Sequence, residues 1–203
     1  GHVTGVQTCA LPISNCTLTN GTLSLGTYTL SVNTFTSNNS NTRTIAFGTG
    51  NITTTGSGTA WTTATATNLT YTGTPTVNIS NNSATATTVT AGTTGGASTN
   101  ALNFNFTVGT YSLTLTTGSS VGDVNFTGFT GTWSPAVSST TTFYGSLTLV
   151  SGMTFSTTSS TLTWANTTGT AIITSAGKTF SGITQNGAGG TVRLASGTRS
   201  EEH

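Results

Sequence analysis

The histidines, cysteines and acidic residues, which supply most catalytic acids, bases and metal ligands, are few in this chain. They are His2, Cys9, Cys16, Asp123, Glu201, Glu202 and His203. Only Cys16 and Asp123 lie away from the two ends. A glycosidase needs two carboxylates, a Ser-His-Asp or Cys-His arrangement needs a histidine, and a structural zinc ion needs about four ligands. The central sequence therefore predicts a protein that is not an enzyme and has no cofactor or metal site.

The two ends differ in composition from the rest of the chain. Residues 1–14 (GHVTGVQTCALPIS) read as the translation of a common DNA sequencing adapter, and residues 199–203 (RSEEH) read as the translation of the reverse complement of the part that encodes Cys9 to Ser14. Segments of this kind are excluded from fold reasoning. We expect the native polypeptide to occupy residues 15–198, as one fragment that is open at both ends.

The composition of the chain is strongly biased. Thr, Gly, Ser and Asn account for 123 of the 203 residues, and charged residues make up 3%, against about 25% in ordinary soluble domains. Threonine and the apolar β-branched and aromatic residues favour strands, whereas good helix formers are rare. The low charge argues against a nucleic-acid partner, and no apolar run reaches the roughly 18 residues of a membrane span. The composition predicts an all-β protein.

Apolar residues recur at every second position in short bursts, which is typical of strands with one buried face. The bursts include Leu23/Leu25, Ile45/Phe47, Val77/Ile79, Leu102/Phe104/Phe106, Leu113/Leu115, Leu147/Leu149, Leu162/Trp164 and Val192/Leu194. Gly, Asn and Ser clusters between them supply turns. The bursts are short, and their inward residues are mostly single apolar side chains flanked by threonine, which is too little for a sandwich core. We therefore predict a parallel β-solenoid of the right-handed β-helix type, with Ig-like β-sandwiches as the alternative.

A module of five elements occurs twice in the same order, which also favours a solenoid. The first copy contains residues 21–25, 28–30, 45–47, 52–56 and Trp61, and the second contains residues 145–149, 153–155, 162–164, 173–177 and Phe180. The gaps between the elements differ between the copies. Loops of variable length on stacked coils explain this difference, and no strict period is expected.

With its repeated Gly-Thr-Leu-Ser-Leu and Ile-Thr-x-x-Gly elements, the chain resembles the repetitive β-solenoid parts of phage-tail and bacterial adhesin-like surface proteins. This resemblance implies a stiff structural or adhesive module at a cell surface, a virion surface or another extracellular place. Its implied partners are neighbouring coils, further copies of the chain, as in a trimer, and surface glycans. It implies no functional residue.

Two further functions remain open at this stage. In a carbohydrate-binding or tailspike-like segment whose active site lies elsewhere, Trp61, Trp133, Tyr144 and Trp164 would stack on sugar rings; the alternative is that these rings fill the core. In an ice-binding solenoid, Thr-x-Thr pairs would form a flat array. Such pairs are no more frequent than the threonine content predicts, and no pair recurs at a fixed phase along the sequence.

The remaining polar features have structural interpretations. Arg43, Lys178 and Arg193 are predicted to be solvated surface residues, and Asp123, which follows Gly122, is predicted to lie in a turn. The Gly-rich segment 185–190 precedes a strand-like Thr-Val-Arg-Leu sequence and not a helix, so it predicts a turn and not a phosphate-binding loop.

Overall fold

The computed structural model describes residues 13–157 and 160–195. These residues form twenty β-strands and one 3-10 turn, Ser98–Asn100, without an α-helix. The strands pair in parallel and wind into a β-solenoid of about 8 turns, which confirms the predicted fold class over the β-sandwich alternative. Residues 1–12 and 199–203 of the predicted adapter segments lie outside the described residues, while Ile13 and Ser14 belong to the first strand.

The strands are short, and most contain two to six residues. In chain order they are β1 (Ile13–Thr17), β2 (Gly21–Ser24), β3 (Thr29–Thr36), β4 (Arg43–Gly48), β5 (Asn51–Thr54), β6 (Gly58–Thr65), β7 (Leu69–Gly73), β8 (Thr76–Ile79), β9 (Thr87–Thr94), β10 (Leu102–Phe106), β11 (Ser112–Leu115), β12 (Ser120–Asn125), β13 (Thr132–Trp133), β14 (Thr142–Phe143), β15 (Leu147–Thr148), β16 (Thr154–Phe155), β17 (Leu162–Trp164), β18 (Thr170–Thr174), β19 (Ile183–Gln185) and β20 (Thr191–Leu194). The predicted turn at residues 185–190 is confirmed, because it connects β19 to β20.

Strand pairing defines three faces along the solenoid. Face 1 contains the first half of β3 and then β5, β8, β10, β12, β15, β18 and β20. Face 2 contains β1, the second half of β3, β6, β9, β11, β13 and β16. Face 3 contains β2, β4 and β7, and in later turns β14, β17 and β19.

The number of residues per turn varies along the chain. Ile13 pairs with Val32, which is 19 residues later, whereas Gly58 pairs with Thr87, which is 29 residues later. The absence of a strict sequence period is thereby explained. The last three elements of the repeated module lie on equivalent faces, but residues 21–25 lie on face 3 while residues 145–149 lie on face 1. The two copies of the module are therefore not equivalent over their full length.

One corner of the early turns is a column of glycines. Gly26, Gly48 and Gly73 all have positive φ angles, of 64°, 59° and 81°. A Cβ atom on Gly48 would overlap the carbonyl oxygen of Gly26, and one on Gly73 would overlap the backbone of Gly48. This corner therefore requires glycine both for its backbone conformation and for the close stacking of successive turns.

Aromatic rings form a nearly continuous stack inside the solenoid. Phe35 stacks on Trp61 with ring centroids 4.3 Å apart, and Phe106 stacks on Phe126 at 4.8 Å. The chain of ring contacts runs through Phe35, Trp61, Phe104, Phe106, Phe126, Trp133, Phe155 and Phe180. Each such pair contributes about 0.5–1.5 kcal/mol beyond the burial of its apolar area.

Arg43 is buried, so its prediction as a solvated surface residue is wrong. Its guanidinium donates to the carbonyl oxygens of Ser37 (2.6 Å), Asn41 (2.8 Å), Thr65 (3.1 Å) and Thr67 (2.8 Å), and to the hydroxyl of Ser37 (3.1 Å). An arginine has five N–H donors, and all of them have an acceptor here. The side chain enters the interior because the carbonyl groups of two successive corners point inward and need donors.

The other two predicted surface cations differ from each other. Arg193 is exposed, as predicted. Lys178 is half-buried, and its ammonium donates to the carbonyl oxygens of Ser151 (2.9 Å) and Met153 (2.6 Å) in the preceding turn. Within residues 13–157 and 160–195 there is no helix long and apolar enough to cross a membrane.

Candidate functional site

The three tryptophans predicted as a sugar-stacking surface lie inside the solenoid. Trp61, Trp133 and Trp164 are 0%, 2% and 0% exposed, whereas Tyr144 is half-buried. The four residues are also spread over faces 2 and 3 and over several turns. This placement corrects the glycan-stacking assignment of the tryptophans: no ring face is open to a ligand, and the alternative assignment to the core describes them.

Two of the three buried indole rings have a hydrogen-bond acceptor for their N–H group. The indole nitrogen of Trp61 donates to the hydroxyl of Thr63 at 3.0 Å, and that of Trp164 donates to the carbonyl oxygen of Gly145 at 2.9 Å. Trp164 also stacks on Phe143, with centroids 4.9 Å apart. Trp61 therefore holds a side chain of its own strand, and Trp164 holds the backbone of Gly145, next to Ser146 on face 1, from the inside.

The surface of face 1 carries a groove of polar side chains, which we call the asparagine groove. It is lined by Thr76, Asn103, Asn105, Asp123, Val124, Asn125, Ser146 and Thr148 and has a volume of about 270 Å³. This volume is close to the lower end of the roughly 300–1,000 Å³ found for ligand pockets. The groove crosses four consecutive strands, β8, β10, β12 and β15, or the residues that adjoin them.

Three side chains of the groove are held by the backbone of the following turn. The side-chain oxygen of Asn103 accepts the backbone N–H of Asp123 (2.8 Å), one carboxylate oxygen of Asp123 accepts that of Ser146 (2.6 Å), and the Ser146 hydroxyl accepts that of Ile172 (3.0 Å). A Cβ on Gly122 would overlap the Asn103 side chain, and one on Gly145 would overlap Asp123. Glycine at these two positions therefore leaves room for the side chains.

A second row of the same face is an asparagine ladder. The side-chain amide of Asn78 donates to Asn51 at 3.1 Å, and that of Asn105 donates to Asn78 at 3.0 Å. Asn125 is the strand partner of Asn105 in the next turn. Successive members Asn51, Asn78 and Asn105 are each 27 residues apart in sequence. This equal spacing is the signal that sequence reasoning missed.

Asp123 is part of strand β12 and not of a turn, so its prediction as a turn residue is wrong. The register between β10 and β12 shifts between Leu102 and Phe104, which marks a β-bulge at Gly122 and Asp123. The side chain is exposed, and it is the only acidic residue in the described part of the chain. Its second carboxylate oxygen therefore offers an acceptor to the groove.

Face 2 carries a different feature, a row of threonines that we call the threonine column. It contains Thr17, Thr36, Thr62, Thr90 and Thr116, one from each of five successive turns. The Thr90 and Thr116 hydroxyl oxygens are 2.6 Å apart. The position two residues before the column holds Asn15, Thr34, Thr88 and Thr114 in four of these turns. Thr-x-Thr pairs occupy this phase in the turns of Thr36, Thr90 and Thr116 only, because Asn15 and Ala60 stand at the earlier position in the other two turns. As expected, no pair recurs in every turn.

The chain matches no protein-family model, no curated protein and no solved structure. Within the described ranges, no group of three or more His, Cys, Asp or Glu residues is placed to hold a metal ion. The chemistry of faces 1 and 2 is therefore what bears on function. The asparagine groove offers amide donors, amide acceptors and one carboxylate, and the threonine column offers uncharged hydroxyl and methyl groups at a regular spacing.

Proposed function

We propose that this chain is a structural and adhesive module of a larger extracellular or virion-surface protein, in which it acts as a stiff polar rod. The observation that carries the proposal is the continuity of the interior. Ring contacts extend from Phe35 in β3 to Phe180 after β18, and parallel ladders join every turn to the next. A solenoid whose neighbouring turns are joined in this way resists bending and local opening.

The outer surface fits the same role. Outward positions are occupied mainly by Thr, Ser and Asn, and the whole chain has a formal net charge of +1. Such a surface is hydrated by neutral groups, so salt has little to screen on it.

Protease resistance of the full chain tests the proposal. Proteinase K cleaves beside apolar residues of any exposed segment, so a rigid solenoid should resist cleavage within its described turns. We expect its lifetime to exceed that of a Trp61→Ala variant by at least about tenfold, because each 1.4 kcal/mol of lost stability raises the open population tenfold. Digestion of both chains at the rate of a disordered polypeptide would contradict the rod.

The genomic context tests the proposed location. Assembly of the DNA region that encodes residues 15–198 should place the segment inside a longer gene, next to genes for tail or surface proteins. A complete short gene among genes of cytosolic metabolism would contradict the extracellular or virion-surface assignment.

A second candidate function is the binding of a neutral glycan in the asparagine groove. Sugar hydroxyls both donate and accept, and the groove presents side-chain amides beside the Asp123 carboxylate on a backbone that is already ordered. Because ordering is complete before binding, little conformational entropy is lost. The carboxylate disfavours anionic sugars, since the described residues place no cation next to it.

A glycan array with the full chain tests this second function. We expect signal on neutral sugars, weak signal on sialylated or uronic-acid glycans, and at least a tenfold loss in the Asn125→Ala variant. Asn186→Ala is the matched control, because Asn186 is exposed in the loop between β19 and β20. Equal loss in both variants, or no signal with the folded chain, would rule out the groove.

A further inference from the structure

The threonine column is a surface on which water can be held in a regular arrangement. Its members come from β1, β3, β6 and β9 and from Thr116, which directly follows β11. Neighbouring strands lie about 4.8 Å apart, so five strands give a row about 19 Å long. A second row two residues earlier lies about 6.7 Å away along the strands.

The side chains in these two rows are conformationally restricted. Threonine is β-branched and has few χ1 states in a strand. The Thr34 hydroxyl donates to the side-chain oxygen of Asn15 at 2.8 Å, and the Thr90 and Thr116 hydroxyls share a hydrogen bond of 2.6 Å. The inward neighbours Phe35, Trp61 and Val89 are completely buried, so the backbone beneath the rows is anchored to the core.

The chemical character of the surface is also uniform. Strands β1, β3, β6, β9 and β11 contain no charged residue. Charged side chains bind water in tight radial shells, whereas hydroxyl groups can exchange hydrogen bonds with a water lattice and methyl groups order the water around them. Members of the column are exposed or half-buried, so water can reach each hydroxyl.

The rows have one irregularity. Between β6 and β9 the register shifts from Thr59/Thr88 to Trp61/Val89, so that Ala60 is the extra residue of a bulge. Thr62 stays in line with Thr36 and Thr90. The column of five is thus continuous, while the second row is displaced in the third turn.

From this arrangement we infer that face 2 binds the surface of ice, with the threonine column as the central row of contact. A crystal of ice presents hydroxyl groups at fixed repeats, and a rigid row of hydroxyls and methyls at the strand spacing can hold many of these contacts at once. The individual contacts are weak, so the regular repetition over five turns is what makes binding effective. This inference goes beyond the proposed rod and does not depend on it.

The test uses the full chain and two tyrosine variants. Thr90→Tyr places a bulky ring in the middle of the column, and Thr72→Tyr places the same ring at an exposed position of β7 on face 3. Tyrosine is favourable in strands, so both variants should keep the fold. The readouts are thermal hysteresis, the shape of ice crystals, and enrichment of protein in slowly grown ice.

We expect measurable hysteresis, faceted crystals and enrichment in ice for the full chain and for Thr72→Tyr, and at least a fivefold loss of hysteresis for Thr90→Tyr. Circular dichroism and urea unfolding check that each variant is folded. No hysteresis and no enrichment with the folded full chain would overturn the inference. Full activity of a folded Thr90→Tyr variant would overturn it as well, because the contact row would then lie elsewhere. If Thr90→Tyr does not fold, Thr36→Tyr is tested in its place. A loss of hysteresis is then expected for this variant, and full activity of the folded variant would overturn the inference.

Discussion

Two regions of the interior are filled in opposite ways. On the flat parts of the turns, aromatic rings stack from one turn to the next, as Phe35 does on Trp61. At the corner between faces 2 and 3, the buried side chain is Arg43, which binds only carbonyl oxygens and one hydroxyl. In a strand the backbone polar groups point sideways into the ladder, whereas at a corner some carbonyls point inward. The interior therefore accepts apolar rings where the ladder is intact and requires a donor where it is not.

One tyrosine side chain lies beside each region and extends the comparison. Tyr71 lies near Arg43 and Thr63, whereas Tyr111 packs against Phe129 with centroids 5.0 Å apart. The Tyr111 hydroxyl is buried and has no hydrogen-bond partner among the described residues. The corner thus satisfies the guanidinium of Arg43, whereas the hydroxyl of Tyr111 beside the stack is unsatisfied.

The largest effect is expected for removal of a ring from the stack. Trp61→Ala loses contacts with Phe35 and Phe104 and leaves a cavity. We expect the free energy of unfolding to fall by about 3–5 kcal/mol, which is the usual cost of an aromatic deletion in a core. Urea unfolding followed by fluorescence of Trp133 and Trp164 measures it. A loss below about 1 kcal/mol would mean that the stack is not a stabilising element.

A loss of similar size, of at least about 3 kcal/mol, is expected for Arg43→Leu, because four buried carbonyl groups lose their donors and each such group costs about 1–3 kcal/mol. Arg43→Lys should lose less, since an ammonium restores part of the bonding. Arg193→Leu, at an exposed position, serves as the control and should change stability by less than about 0.5 kcal/mol. If Arg43→Leu were as stable as the parent, the corner would accept apolar side chains and the distinction between the two regions would fail.

Alkaline pH should weaken both regions. Burial raises the pKa of Tyr71 and of Tyr111 above the ordinary value near 10. A raised pKa in the folded state means that stability is complete below pH 10 and declines above it, because the unfolded chain releases these protons first. Each group contributes a slope of about 1.4 kcal/mol per pH unit between the ordinary and the raised value.

Unfolding in urea at pH 8, 10 and 11 measures this slope. The variant Tyr71→Phe/Tyr111→Phe lacks both groups and should show a smaller decline above pH 10. An identical decline in the parent and the double variant would assign the effect to other groups.

The smallest and most discriminating effects come from the two single tyrosine variants. Tyr111→Phe removes an unsatisfied buried hydroxyl and should raise the free energy of unfolding by about 1 kcal/mol. Tyr71→Phe removes a hydroxyl that lies beside the polar groups of Thr63 and Arg43 and should lower it by about 1 kcal/mol. Changes of the same sign in both variants would contradict the difference between the stack and the corner.

Much of the fold could be predicted from local sequence. Alternation in Leu102, Phe104 and Phe106 identified the inward side of β10, and the thin core favoured a solenoid over a sandwich. The position of Arg43 could not be predicted, because a charged residue at a strand end reads as exposed unless the carbonyls of another turn are known. The glycine before Asp123 predicts a turn, whereas the bulge that keeps Asp123 in β12 depends on the register with β10. The tryptophans presented the same difficulty, since an indole suits a core and a binding surface equally well.

The two surface features differ in how far sequence could reveal them. The asparagine ladder leaves a trace, because Asn51, Asn78 and Asn105 are equally spaced. The threonine column leaves none, since its members are separated by 19, 26, 28 and 26 residues. In a chain with so many threonines, pairs at unequal distances cannot be told from chance without knowing the length of each turn.

The sequence by itself determined the class of structure: a chain of alternating apolar and hydroxyl-bearing residues with very few charges forms strands and buries one side of each. Only the tertiary structure decided which residues of different turns face one another. Alternation is a property of neighbouring residues, whereas the alignment of turns depends on the length of every loop and on contacts between residues 19 to 29 positions apart. The stack, the Arg43 corner, the asparagine groove and the threonine column all arise from that alignment.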